Sequence, residues 1–209
     1  MKRKVVCYCD RDFEVDLPDQ VELNPEMEEA ILKGSFMSTK CPHCGKLLKP
    51  EFPVRVKNPE RGIDIFMVPE QDRNVFYDNS LPYSIKEGMS VVIGHRELIE
   101  QLLVIKSALD MRAVEIVKFY LLKKALNDYD SEERLSIIFT GKEQDMLVFH
   151  IFGLKRDQLG IVHVALEKYQ RIVQELYARV KEEPFGVLLA PPYVSINKFF
   201  SGDFLRGDS

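Results

Sequence analysis

The sequence predicts an α+β fold, and three observations carry the prediction. Apolar residues alternate with charged ones at Phe13, Val15 and Leu17 and again at Val54 and Val56, which is the period of a half-buried strand. From His95 the period lengthens, and Leu98, Ile99, Leu102, Leu103 and Leu109 fall on one side of a helix. Two close cysteine pairs, Cys7 with Cys9 and Cys41 with Cys44, sit in the strand-like part. The 209 residues are enough to bury a core without a staple, and they divide into a cysteine-bearing part, 1 to 83, and a body of packed helices and antiparallel sheet, 84 to 209.

Each element has a local reason. Val5 and Val6 lead into the first cysteine pair, and the alternation after it predicts a hairpin with Cys7 and Cys9 at its tip. Asn24 before Pro25 is a good cap and first-turn pair. Glu26, Glu28 and Glu29 suit the positive end of a helix over 25 to 33, and Gly34 can terminate it. After CPHCG, Pro50 and Pro53 bracket an extended stretch, and strands are expected at Val54 to Lys57 and over 63 to 68. The polar, proline-containing segment 69 to 87 reads as irregular connection. Asp110 can cap a second helix to about residue 126, whose sparse polar circumference marks it as the central buried helix. Segments 134 to 140 and 145 to 153 flank the turn GKEQ and predict a hairpin whose second strand is buried on both faces. A third strand is expected over 160 to 164, a long helix over 166 to 180 that stops near Pro184 and Gly186, and a rigid turn at 190 to 193 leading to a final strand.

Composition narrows the class. The chain is 45% hydrophobic and 30% charged, as in a globular protein, and no stretch reaches membrane-spanning length. The basic opening meets Asp10 and Arg11 before any signal-like apolar run, so a cytoplasmic protein is expected, with no membrane partner. A net charge of -4 argues against a chain-wide field for nucleic acid. Locally, Lys40, Lys46, Lys49, Arg55 and Lys57 make 36 to 57 basic, while 10 to 29 is strongly acidic. The two segments are expected to be solvated faces that partly neutralise each other.

In a reducing compartment, cysteines in two close pairs are better explained by a metal than by disulfides. Thiolates delivered from two turns satisfy the tetrahedral, sulfur-accepting preference of zinc and cross-link the turns. In CPHCG the proline stiffens the turn, and Gly45 permits the left-handed backbone that a zinc knuckle needs just past its second cysteine. One structural Zn2+ held by Cys7, Cys9, Cys41 and Cys44 is therefore expected, in a zinc ribbon with the 25 to 33 helix inserted between its knuckles. CPHC also resembles the active site of thioredoxin-like oxidoreductases, but a redox pair needs a following helix to lower its thiol pKa, and Gly45, Pro50 and Pro53 leave no room for one. His43 is expected at the surface, since four cysteines complete the shell.

The pairs CYC and CPHCG, the NPEMEEAILKG helix between them and the DMRAVEIVK stretch from Asp110 together resemble the CpXC domain family of bacteria and archaea, over about the first 125 residues. The resemblance implies a domain and a prokaryotic source, not an activity. By position, Cys41 and Cys44 match the Cys-Pro-any-Cys pattern, while Cys7 and Cys9 take the place of the first pair without the proline and with one residue fewer.

His150 in MLVFHIF and His163 in IVHVAL are expected to be hydrogen-bonded core residues rather than partners of Ser136 or Asp145, and His95 a capping neighbour. HExxH, GxSxG, GxxxxGK and GxGxxG are all absent. Phe199, Phe200 and Phe204 are expected to pack on their own domain. A non-enzymatic interaction or assembly module follows, with a protein or a second copy as partner ahead of nucleic acid. The alternatives are an enzyme with its site in the C-terminal body, which a polar pocket near His150 or His163 would mark, and a thiol redox sensor using CPHC.

Overall fold

The computed structural model of the chain describes residues 1–128, 135–155 and 158–201. It is a mixed α+β structure that divides into two compact units, Met1–Ile99 and Glu100–Ser209.

In the first unit, β1 (Lys2–Val6) and β2 (Asp12–Asp16) form an antiparallel hairpin in which Val5 faces Phe13. A short β3 (Gln20–Glu22) precedes α1 (Pro25–Leu32), whose Asn24 cap accepts a 2.8 Å bond from the Met27 N–H. The two-residue strands β4 (Thr39–Lys40) and β5 (Leu47–Leu48) pair on either side of CPHCG. Strands β6 (Val54–Asn58) and β7 (Ile63–Val68) pair antiparallel, with β3 parallel to β6 on one side and β8 (Ser90–Ile93) parallel to β7 on the other. Val54, Val56, Ile65 and Met67 are at most 1% exposed and make one face of this sheet core.

Segment 69 to 87 is not wholly irregular. It holds a 3-10 turn, Glu70–Asp72, and the short α2 (Arg73–Tyr77), followed after β8 by α3 (Gly94–Lys106). Ion pairing rather than apolar periodicity builds it, which is why the hydrophobic pattern is silent there. Arg73 donates to both Glu70 oxygens at 2.6 and 2.8 Å and to Glu97 at 2.9 Å, and the other Glu97 oxygen accepts the Ile93 N–H. Glu51 accepts from the Glu70 and His95 N–H groups at 2.7 and 2.8 Å, capping the 3-10 turn and α3 at once.

The second unit is built on α4 (Met111–Asp128), with Ala113, Val114, Ile116 and Leu122 fully buried. Asp110 accepts the Arg112 N–H at 2.8 Å, as a cap should. Strands β9 (Ser136–Glu143), β10 (Met146–Phe152) and β11 (Gly160–Ala165) form an antiparallel sheet with β10 in the middle. The GKEQ turn is tighter than the sequence suggests: β9 continues through Gly141, Lys142 and Glu143, and the register shifts between Val148 and Phe149 to accommodate the extension. Arg134 lies outside the described residues.

Helix α5 (Leu166–Arg179) follows, then α6 (Phe185–Leu188). The expected final strand is instead a 3-10 helix, Ile196–Ser201, which seats Phe199 against Phe119 at 5.8 Å between ring centroids. Phe199 is 3% exposed, so it packs on its own unit, while Phe204 and the side chain of Phe200 lie outside the described residues.

Three charged side chains are sealed in this core. Lys118 donates to Glu115 at 2.6 Å and to Glu100 at 3.0 Å; Glu100 also accepts the Phe139 N–H, and Glu115 the Ile196 N–H. The triad thus ties α3, α4, β9 and the C-terminal 3-10 helix together. Burial drives the Glu115 carboxyl up to about 7, Lys118 pulls it down and Glu100 adds to the rise, whereas the two carboxylates hold Lys118 protonated.

Candidate metal centre

Two turns bring the four cysteines together. In the first, the Asp10 N–H returns to the Cys7 carbonyl and the Cys7 N–H to the Arg11 carbonyl, both at 2.9 Å. In the second, the Gly45 N–H returns to the Cys41 carbonyl and the Cys41 N–H to the Lys46 carbonyl, also at 2.9 Å. Each turn is closed by a left-handed residue, Asp10 at φ 60° and Gly45 at φ 74°. The first turn therefore repeats the second with one residue fewer and an aspartate where the second has glycine, a substitution that αL geometry tolerates.

The four sulfurs lie within 4.8 Å of one another. Across the turns, Cys7 Sγ is 3.5 Å from Cys44 Sγ and Cys9 Sγ 3.8 Å from Cys41 Sγ. A tetrahedron with metal–sulfur bonds of about 2.3 Å has sulfur–sulfur edges of about 3.8 Å, so the four residues could hold one metal ion. A disulfide needs about 2.05 Å, and all four thiols are free. Cys7 and Cys41 are buried, Cys9 is half-buried and Cys44 exposed.

Crowding splits the thiols. The Cys9 N–H draws the Cys7 thiol down, but burial and the three neighbouring sulfurs push it up to about 12. At Cys41, burial raises the thiol, while the N–H groups of Cys44 and His43 and the sulfurs of Cys7 and Cys44 bring it down to about 7. Among the described residues, only Val5 and Leu48 add buried apolar side chains to Cys7 and Cys41 here, with Phe13, Val15 and Phe52 partly buried around them. The hairpin tip has little core of its own.

The chain matches the family model described as CpXC protein over residues 5–118, which takes in all four cysteines. It belongs to the CpXC family. The CpXC match ends at Lys118, so it also spans all three members of the buried triad. The chain is similar, at 26% identity, to an uncharacterized protein of Treponema pallidum (strain Nichols), over 93% of this chain and 97% of that one. No solved structure matches the chain.

The other sequence candidates scatter. His43 is exposed, with Nδ1 3.4 Å from Arg11 Nη1. His95 sits at the start of α3 against Phe36. His163 is exposed rather than in the core, because β11 is an edge strand with one face to solvent, and His150 is half-buried beside Phe152. His163 faces Val148 across the sheet, whereas Ser136 faces Phe152, so the structure does not join them. The groove of about 330 Å³ beside His163 is walled by Val117, Leu121, Val162 and Ile172, with Lys124 and Lys168 its charged members.

The acidic segment is neutralised differently from expectation. Asp12 and Glu14 pair with Lys4 and Lys2 across the hairpin, where the antiparallel partner strand is nearer than the basic knuckle, and Glu28 pairs with Arg61. Among the described residues, no helix is long and apolar enough to cross a membrane.

Proposed function

We propose that Cys7, Cys9, Cys41 and Cys44 hold one structural zinc ion in a ribbon, and that the tip it fixes is a docking surface in a non-enzymatic interaction or assembly module. The reading is carried by the four-sulfur cluster together with the exposed apolar residues next to its cysteines in the chain: Tyr8, between Cys7 and Cys9, is 82% exposed, Val6 69% and Leu47, just past the second turn, 57%. Zinc suits a closed four-thiolate shell, which leaves no open position for catalysis. Exposed apolar groups next to a rigid staple are the chemistry of protein contact, and a net charge of -4 over the chain disfavours nucleic acid. Free thiols of this kind fit a reducing cytoplasm.

Co-purification and light scattering on zinc-loaded chain test the reading. Tyr8→Ser with Leu47→Ser should abolish self-association or a stoichiometric co-purifying protein while zinc content and fold stay unchanged. Retention of every association by that variant contradicts the docking surface. A second reading, a thiol redox sensor, has the Cys41 thiol near 7 and the exposure of Cys44 in its favour. It requires reversible oxidation of the cluster with release of the metal.

A further inference from the structure

The outward face of the four-stranded sheet holds a cavity whose lining includes none of the cysteines. Gln20, Arg55 and Phe66 are direct cross-strand partners on β3, β6 and β7, so they stand in one row. Their strand neighbours Val54, Val56, Ile65 and Met67 fill the core, which turns this row away from it. The segment before β8 crosses over the row and is pinned there: the Tyr83 ring lies 5.7 Å from that of Phe66, and its hydroxyl donates to Asp72 at 3.1 Å. A cavity of about 430 Å³ remains, within the range of small-molecule sites.

Its chemistry is mixed in a specific way. Phe66, Tyr83 and Met89 give it flat, apolar walls. Arg3, Arg55 and Lys86 bring three cations, against Asp19 alone among the lining carboxylates, in a chain of net charge -4. Asp64 occupies Nε and Nη2 of Arg55 at 2.7 and 2.6 Å and leaves Nη1 without a bond among the described residues. Arg3 is held over the Phe52 ring at 5.4 Å, its Nε is buried without a hydrogen-bond partner, and no carboxylate pairs with it among the described residues. Lys86 likewise forms no ion pair there.

We infer that this cavity binds a small organic phosphate carrying a flat ring. A carboxylate is satisfied by one guanidinium, whereas the two unpaired cations Arg3 and Lys86, with the remaining Arg55 N–H groups beside them, match a dianion, and the aromatic walls match a ring. The test is a titration of full-length, zinc-loaded chain by calorimetry and by the Met89 methyl signal in NMR. The probes are phenyl phosphate, benzoate, inorganic phosphate and benzyl alcohol. Phenyl phosphate should bind at least about tenfold tighter than each of the others and shift Met89. Arg3→Gln and the exposed Lys86→Gln should each weaken it by about tenfold or more, the scale of one charge-assisted hydrogen bond. Equal binding of benzoate and phenyl phosphate, or phenyl phosphate binding that is absent or indifferent to Lys86→Gln in a folded, zinc-loaded variant, would overturn the inference.

Discussion

Replacing Lys118 by methionine should remove a large part of the stability of the second unit. Lys118 is 1% exposed and is the cation within 3.0 Å of both Glu100 and Glu115, themselves buried. Without it, two carboxylates are left in the core, and breaking a buried pair in this way costs about 3–5 kcal/mol. That is a substantial fraction of the roughly 5–15 kcal/mol that holds a domain together. The loss should depend on pH in a defined direction. In wild type the Glu115 carboxyl already sits at about 7, above its unfolded value of 4.5, so the folded state binds more protons between those values. Its contribution to stability is therefore present at low pH and lost as pH rises through 7. Removing Lys118 takes away the charge that pulls the Glu115 carboxyl down, so that carboxyl rises further and the difference in stability between variant and wild type should widen from pH 5 to pH 8. Urea denaturation followed by circular dichroism at both pH values measures it. A cost below about 1 kcal/mol, or a gap that narrows with rising pH, would refute the reasoning. Adding Glu115→Gln to Lys118→Met should recover part of the loss by removing one buried charge.

Two further predictions follow from particular contacts. Cys41→Ser or Cys44→Ser should abolish metal binding and unfold the hairpin tip, whose own core is small, while the helices of the second unit persist; complete loss of the far-UV helical signal would contradict the division into units. Gly94→Ala places a Cβ 3.1 Å from Glu70 and 3.3 Å from Glu51 at φ +75°, so it should destabilise the start of α3 by about 1–3 kcal/mol, read as faster amide exchange at His95.

Periodicity and capping made much of the architecture legible. The Asn24-Pro25 start of α1, the Asp110 start of α4 and the 166 to 180 helix are all local signals, and the structure has them. The cysteine pairs were readable because each lies within one short turn of the chain. Elements that depend on distant partners were hidden. β3 has three residues and β8 four, and each is a strand only because β6 and β7 offer free edges. Helix α2 rests on Arg73 and its two carboxylates. Glu115 and Lys118, spaced three apart in the otherwise apolar stretch 113 to 122 of α4, were the visible trace of the buried triad, but Glu100, Phe139 and Ile196 complete it from afar. His163 was misplaced because an apolar run looks the same in an edge strand as in a central one.

The most direct test of the central claim is elemental analysis of chain purified without added metal, with thiols counted before and after metal removal. One zinc per chain is expected, with four thiols that react only after the metal is removed. Absence of zinc, with a readily reduced disulfide between Cys41 and Cys44, would contradict it and place redox chemistry first.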